Sequence, residues 1–538
     1  MPNPAETSET SFAPQNRERA CKNKTFTVAS LGCPKNLVDS ESMAGRLTKL
    51  GMIFDRESDV VDLFLLNTCG FLRSAKAEAE DYIRQAIRSK ETGGLRYLIV
   101  AGCAVASDGV ELAERYPQVD AWLSPFDELR IGEIVAKLFN REPFDEAGEG
   151  EAGEPSDAYK LPLLTAEQVE AAKAYPRLFY NPTRSIIVDD SRRERMTTPH
   201  TAYLKIADGC DRFCSYCAIP NIRGRFSSKP LETILEESSR LADRGVRELV
   251  LIAQETTFWG QDLYGEPSLK RLLAALKERG QFAWIRTLYS YPTHWDKDLT
   301  DLFKVETSGA TSVLPYIDMP LQHCNSEILA RMNRKVDKAQ TQDLLATLRA
   351  EIPELILRST FIVGFPGETS EQFQELAEFV ETQRFERGGV FEFSPEPGTK
   401  AAAMENQVDE KTKSRRYERL YAKQQRVSHQ YARNRIGAIM DVLIDSRAIA
   451  ENGSVMKNVC LGRTYADAPD VDPIVYVTGR GIGPGDIVPC EIVDAQGLDL
   501  IAVPTDPDKL YVSKEERREA YEREERANGK PPKKQKKR

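Results

Sequence analysis

The sequence predicts an α/β protein in three parts: an N-terminal parallel α/β domain, a central partial (β/α)6 barrel and a small C-terminal β-barrel. Three observations carry this expectation. Apolar, β-branched runs alternate with helical patterns on both sides of an acidic stretch, as parallel strands joined by right-handed crossovers do. The stretch itself, 142–155, holds six acids among glycine, alanine and proline, with too little apolar surface to offset the entropy of ordering. Beyond 437 the runs shorten and are broken by Asn-Gly, Pro-Gly and Gln-Gly turns, the pattern of a small barrel.

Residues 1–24 are polar, and no apolar core of a secretory signal is visible. The apolar stretch 97–106 is far shorter than the ~20 residues that cross a bilayer. The expectation is a cytoplasmic protein without membrane contact, in which thiols stay reduced and must be core residues, nucleophiles or metal ligands. Within 25–141, strands are expected at 26–31, 62–67 and 97–101, with helices at 40–50 and 74–89. A flexible linker or insertion is expected over 142–195. From 196 to 435 the alternation resumes, with strands at 203–207, 248–253, 284–289, 313–319, 356–363 and 389–393. Helices 231–244 and 268–279 lie between, each stopped by a glycine, Gly245 and Gly280. Six units fall short of the eight of a complete barrel. A basic helix spans 409–435, the β-barrel 436–505, and a charged tail 506–538.

The cysteines carry the chemistry, because there are ten of them and only four histidines. Cys210, Cys214 and Cys217 lie in one loop after the first barrel strand, where barrel enzymes place their sites. No fourth ligand completes a structural zinc site, and three thiolates on a four-iron cluster leave one iron open. Cys33, Cys69 and Cys103 are far apart in sequence, yet each follows an expected parallel strand. Strand ends of that kind line one edge of the sheet, the ligand edge of open α/β folds. Buried core cysteines are the competing reading there, while Gly32, Gly70 and Gly102 favour close approach of backbone to a ligand. Cys21, Cys324, Cys460 and Cys490 show no ligand spacing and are expected in cores.

The loop Cys210-Asp-Arg-Phe-Cys214-Ser-Tyr-Cys217 resembles the signature of the radical S-adenosylmethionine superfamily, and both trios in this order resemble the methylthiotransferases. That resemblance implies two [4Fe-4S] clusters and S-adenosylmethionine as cofactors, a radical barrel, and a C-terminal TRAM module. It implies that Cys210, Cys214 and Cys217 hold the radical-generating cluster and that Cys33, Cys69 and Cys103 hold an auxiliary one bearing sulfur. One S-adenosylmethionine would methylate that sulfur and a second would supply a radical to a substrate C–H bond, so that –S–CH3 replaces hydrogen. Cofactor contacts carried over from the likeness are Tyr216 to adenine, Gln254 and Glu255 near the methionine amino group, Gly364 and Gly367 near the ribose, and His323 at the barrel mouth. No side chain is assigned as a proton-transfer catalyst, because the cofactors carry the hard chemistry.

Two features select the substrate. The stretches 30–41 and 462–472 resemble the branch that modifies an aspartate of small-subunit ribosomal protein number 12. Independently, 437–504 carries ten acids and four bases, and a surface at −6 suits a basic protein better than RNA phosphates. The whole chain has 74 bases and 83 acids, a net of −9. The expected partners are that ribosomal protein, free or within the ribosomal subunit, an external electron donor and a sulfur donor, with the enzyme acting as a monomer. Helix 411–435, with nine bases and Glu418 as its one acid, either rests on acids of its own chain or meets ribosomal RNA. The alternatives are methylthiolation of a modified adenosine in transfer RNA and, from a different class, a non-catalytic iron–sulfur carrier of electrons or sulfur. Consumption of S-adenosylmethionine separates the latter from any enzyme.

Overall fold

In a computed structural model, residues 20–143, 174–180, 193–304, 312–450 and 452–510 are described. The chain divides into two compact units, 1–424 and 425–538.

The first unit opens with a six-stranded sheet. Its strands are β1 (Thr25–Ser30), β2 (Ile53–Phe54), β3 (Val61–Thr68), β4 (Leu95–Gly102), β5 (Ala121–Leu123) and β6 (Leu178–Phe179), in the order β2-β1-β3-β4-β5-β6. Every pairing is parallel. Alternate residues of one strand enter different cores: Leu63, Leu65 and Ile99 pack on one face, Leu66, Leu98 and Val100 on the other. Burial on both faces is the reason these strands read as near-continuous apolar runs. The helices are α1 (Pro34–Lys49), α2 (Arg73–Glu91), α3 (Cys103–Arg115) and α4 (Ile131–Asn140). Helix α1 starts six residues before the expected 40, because Pro34 occupies the first turn, where a missing N–H costs nothing. Strand β6 corrects the expected linker over 142–195: the described part of that span adds an edge strand to this sheet through Trp122–Leu178 and Leu123–Phe179. Residues 144–173 and 181–192 of the same span, the N-terminal 1–19 and the tail 511–538 lie outside the described residues.

The second sheet is built from β7 (Thr201–Lys205), followed by the short pair β8 (Ala207–Asp208) and β9 (Ser227–Ser228). The remaining strands are β10 (Glu248–Ile252), β11 (Trp284–Thr287), β12 (Ser312–Asp318), β13 (Ile356–Val363) and β14 (Arg387–Glu392). The main strands run β14-β13-β12-β11-β10-β7, each beside its sequence neighbour and parallel to it. This is the expected partial barrel of six units. Helices α5 (Ile219–Arg223), α6 (Leu231–Asp243), α7 (Leu269–Arg279), α8 (Lys338–Glu351) and α9 (Ser370–Gln383) lie between the strands. Gly245 and Gly280 stop α6 and α7 in the left-handed region, at φ of 83° and 63°. Helix α10 (Glu410–Asn434) follows. Its Lys413, Arg416 and Lys423 pair with Glu410, Glu368 and Glu381, so part of the positive charge read from the sequence is matched by this chain's own acids.

In the second unit β15 (Ile439–Ile449), β16 (Val455–Arg463), β17 (Val475–Thr478), β18 (Ile487–Gln496) and β19 (Asp499–Pro504) close a barrel in the order β15-β16-β17-β19-β18. Val442, Ile444, Cys460, Val477, Cys490 and Ile492 fill it. The expected turn dipeptides place Gly453, Gly485 and Gly497 at φ of 79°, 90° and 65°, where an L-residue would be strained. Cys21, Cys324, Cys460 and Cys490 are all fully buried, as core cysteines should be.

Candidate cluster sites

Strand β1 pairs with β2 on one side and β3 on the other, so the chain reverses its winding direction between β1 and β3. Open α/β sheets bind ligands at that point, outside the strand C-termini. Cys33 caps α1 just after β1, Cys69 follows β3 directly, and Cys103 opens α3 directly after β4. The three loops touch one another through their glycines. A Cβ on Gly32 would stand 2.7 Å from the Cys69 Cβ, and one on Gly70 would stand 2.5 Å from the Cys103 carbonyl carbon. A Cβ on Gly102, at φ 99°, would stand 2.1 Å from Asn67 Oδ1. The expectation of close approach to a ligand is therefore refined: these glycines let the cysteine loops approach each other. The N-termini of α1 and α3 add partial positive charge where thiolates would sit.

The residues around Cys33 frame this site. Asn36 Nδ2 donates to the carbonyls of Leu31 (3.1 Å) and Thr68 (2.9 Å), and Asn67 Nδ2 to Asn36 O and Ser40 Oγ, both at 2.9 Å. Lys35 points to the barrel, where its Nζ lies 3.3 Å from Ala253 O and 3.6 Å from the centre of the Tyr289 ring. Burial lowers the pKa of this ammonium, but Tyr289, Cys33 and Asp208 outweigh it and leave the value raised. In return the barrel sends Arg223, whose Nε donates to Cys103 Sγ at 3.4 Å. Burial pushes the Cys103 thiol up to about 12; Arg223 opposes the shift, and Cys33 and Cys69 add to it. Cys69 is also raised by burial.

The second trio occupies the loop between β8 and β9. Gly209, at φ 74°, lets this loop close: a Cβ there would meet Arg225 O at 2.0 Å. Asn333 Nδ2 donates to Phe213 O at 2.9 Å and Ser215 Oγ to Arg331 O at 2.8 Å, fixing the backbone between the thiols. Burial pushes Cys210 up to about 12 and raises Cys217 as well.

The expected cofactor contacts separate under this geometry. Gln254 Nε2 donates to Asp208 Oδ1 at 2.7 Å, while its buried Oε1 has no bond partner among the described residues. Glu255 behaves differently: both of its oxygens accept from Arg212, Oε2 from Nε at 2.5 Å and Oε1 from Nη2, so its carboxylate is already matched. Tyr216 lines a cavity of about 360 Å³ together with Phe71, Gln322, Thr360, Phe391 and Glu396. That cavity reaches from the loop after Cys69 to the ends of β13 and β14. Gln322 Oε1 is a second buried acceptor without a partner among the described residues.

His323 corrects its expectation. It is fully buried. Its Nδ1 accepts from the Asn325 N–H (3.0 Å), so Nε2 carries the proton and donates to Glu368 Oε1 (3.2 Å). It therefore braces a loop and does not face the mouth. Gly364 and Gly367 have φ of 73° and 72°, and the space a Cβ would need is taken by Lys413 and Arg331. Their requirement for glycine thus comes from the protein's own packing. Sequence reasoning missed Lys35, Arg212, Arg223 and Glu368, whose partners lie many residues away.

Among the described residues no three His, Cys, Asp or Glu side chains close on a single metal ion. A cluster spends one iron on each thiolate and wants them farther apart than one ion does. The donor sets are soft and all-thiol, the choice for iron–sulfur ligation. Two unpaired amide oxygens near the loop trio would suit the polar groups of S-adenosylmethionine. On both counts the residues present fit the groups that the sequence implies.

Three family models match the chain: the radical SAM superfamily over 204–380, the uncharacterized protein family UPF0004 over 25–124 and the TRAM domain over 436–504. The ribosomal protein uS12 methylthiotransferase RimO of Geobacter sulfurreducens is 39% identical over 476 residues, which cover 88% of this chain and 97% of that protein. The protein of the same name from Syntrophus aciditrophicus is 38% identical over 477 residues, again 88% and 97%. Among solved structures, the methyltransferase TsrM of Kitasatospora setae aligns with a TM-score of 0.47 at 12% identity, over 78% of this chain and 76% of that one. That likeness is too distant to bear on function.

Proposed function

The chain belongs to the ribosomal protein uS12 methylthiotransferases, and from that premise we infer that its two cysteine trios divide one reaction between them. The protein is a radical SAM methylthiotransferase acting on ribosomal protein uS12. In our reading the product is an aspartate of uS12 with –S–CH3 in place of one β-hydrogen.

Cys210, Cys214 and Cys217 would hold the cluster that, with S-adenosylmethionine, supplies the hydrogen-abstracting radical, and Cys33, Cys69 and Cys103 the cluster that supplies sulfur. The rest is work for this chain's own residues. Gln254 is anchored by Asp208, two residues before Cys210, and its buried Oε1, without a bond partner among the described residues, would offer an ammonium group of the cofactor an acceptor. Tyr216 and Phe71 give the cavity between the two trios aromatic walls, which suit an adenine or an apolar stretch of substrate. Lys35 and Arg223 pass in opposite directions between the two sheets, so each trio is held in register with the other. The acidic terminal barrel supports a basic protein as substrate, and the electron and sulfur donors are expected to be separate molecules.

One observation carries the reading: three thiols distant in sequence meet at the switch point of a parallel sheet, against the loop that bears the other three. The test is mass spectrometry of uS12 from a strain lacking this gene, complemented with the wild type or with Cys69→Ala. Restoration by the wild type alone is expected. Modified uS12 in the uncomplemented deletion strain removes the assignment.

A further inference from the structure

We propose that Arg223 is a positioning residue of the auxiliary site: a guanidinium, delivered by the barrel, that holds the Cys103 sulfur and sets the reduction potential of the cluster built on it. The inference rests on the reading that Cys33, Cys69 and Cys103 are cluster ligands.

Arg223 ends α5, the helix that begins two residues after Cys217, so the loop bearing one trio hands this side chain to the other. It is 2% exposed, and each of its nitrogens has a directed task. Nη1 donates to Asp39 Oδ2 at 2.7 Å and Asp208 Oδ2 at 3.1 Å. Nη2 donates to Asn36 Oδ1 at 2.7 Å, and Nε to Cys103 Sγ at 3.4 Å. Asn36 Oδ1 is also 3.5 Å from that sulfur. The two carboxylates fix the plane of the guanidinium, and Lys205, paired with both, balances the remaining negative charge. A lysine has no rigid fork with which to reach sulfur, amide and carboxylates together.

A side chain kept only to join the domains would need no contact with sulfur. An N–H directed at a ligating sulfur, on a buried cation, favours the more negative, reduced form of an iron–sulfur cluster and raises its potential. The sign is fixed by charge: reduction adds an electron beside a fixed positive group.

The test uses the full chain carrying Cys210→Ala, Cys214→Ala and Cys217→Ala, so that only the auxiliary site can be loaded with iron and sulfide under anaerobic conditions. Electron paramagnetic resonance then follows a redox titration. Adding Arg223→Gln should shift the midpoint to more negative potential, lowering the reduced-to-oxidised ratio at fixed potential at least tenfold, or about 59 mV for one electron. Arg223→Lys, which keeps the charge but not the fork, should shift it less. Should Arg223→Gln alone prevent folding, Asp39→Asn with Arg223→Gln preserves the buried charge sum and should shift the midpoint the same way. A loaded, folded variant with an unmoved midpoint overturns the proposal. If the parent triple variant binds no iron, it is the ligand reading that fails.

Discussion

Replacing Glu368 by glutamine should loosen the loop after β13, and the size of the effect follows from three bonds. The carboxylate is fully buried. Its Oε2 accepts from the Gly364 N–H and from Arg416 Nη1, the latter at 2.8 Å, and its Oε1 accepts from His323 Nε2 at 3.2 Å. Glutamine can keep its oxygen toward Gly364 and Arg416, but that oxygen no longer carries charge: the Gly364 bond becomes neutral, and the Arg416 guanidinium, still ionised, loses its ion-pair partner, roughly 1 kcal/mol each. Its amide then faces His323 Nε2, which cannot give up its proton because Nδ1 is held as an acceptor by Asn325. Two donors confront each other in a buried place, a loss of about 1–3 kcal/mol. The sum, about 3–5 kcal/mol, is roughly two to three and a half decades in a local opening equilibrium at 1.4 kcal/mol per decade. Hydrogen exchange read by mass spectrometry should show that acceleration in peptides spanning Gly364–Glu368 and Arg416, with β10 unchanged. Exchange at the wild-type rate in the loop would refute the role given to this carboxylate and the tautomer given to His323.

Three further outcomes are expected. Gly102→Ala puts a side chain at φ 99° and 2.1 Å from Asn67 Oδ1, in a region that costs non-glycine residues about 1–3 kcal/mol; the variant should lose the auxiliary iron, about half the total for two [4Fe-4S] clusters, while still cleaving S-adenosylmethionine, and full iron content would contradict it. Loading of the apo-protein should strengthen as pH rises, because Cys103 and Cys210, at about 12, are protonated thiols that must each release a proton to bind iron; proton uptake or a flat profile in an anaerobic iron titration in weak buffer would contradict this. His294 is lowered to about 4 by burial and by the nearby Arg212. Its unfolded value is about 6.5, so between those limits the unfolded chain binds more protons and stability falls as pH drops. Denaturation midpoints of the wild type and His294→Gln should converge as the pH is lowered through that window.

The backbone of the fold was legible because its signals are local. Parallel strands buried on both faces announce themselves as apolar runs, and the positions where only glycine is comfortable, such as Gly245, Gly280 and Gly485, mark the ends of elements. The two-residue strands β2 and β6 carried no such signal: they are edges, paired through two residues each, and a neighbour's hydrogen bonds decide their conformation. The thiol trios were legible for two reasons, tight spacing in one case and a repeated place after a strand in the other. The partners of Glu255 and His323 were not legible, because a position at a strand end tells where a side chain is but not what it touches.

What touches them is set at long range. Glu255 is matched by Arg212, 43 residues away, and His323 by Glu368, 45 residues away. Lys35 meets Ala253 across 218 residues, and Arg223 meets Asn36 across 187. No window of the sequence contains both members of such a pair, so a net charge of −9, or even the charge of one helix, says nothing about which ions are buried together. Yet buried ions are the informative ones. Exposed pairs contribute little, while a buried charge that lost its partner would cost several kcal/mol. Asp39, Asp208, Lys205 and Arg223 are each at most 3% exposed, and they come from three segments that meet only in the folded chain. Asp208, held down to about 2 by Arg223 and Lys205 against the cost of its burial, stays ionised throughout the neutral range. The two sheets are therefore joined by charges that neither could bury alone, at the place where both present their thiols. A hydrophobic seam would hold the domains equally well, but it could not put a directed N–H on one cysteine sulfur and an ammonium beside another cysteine.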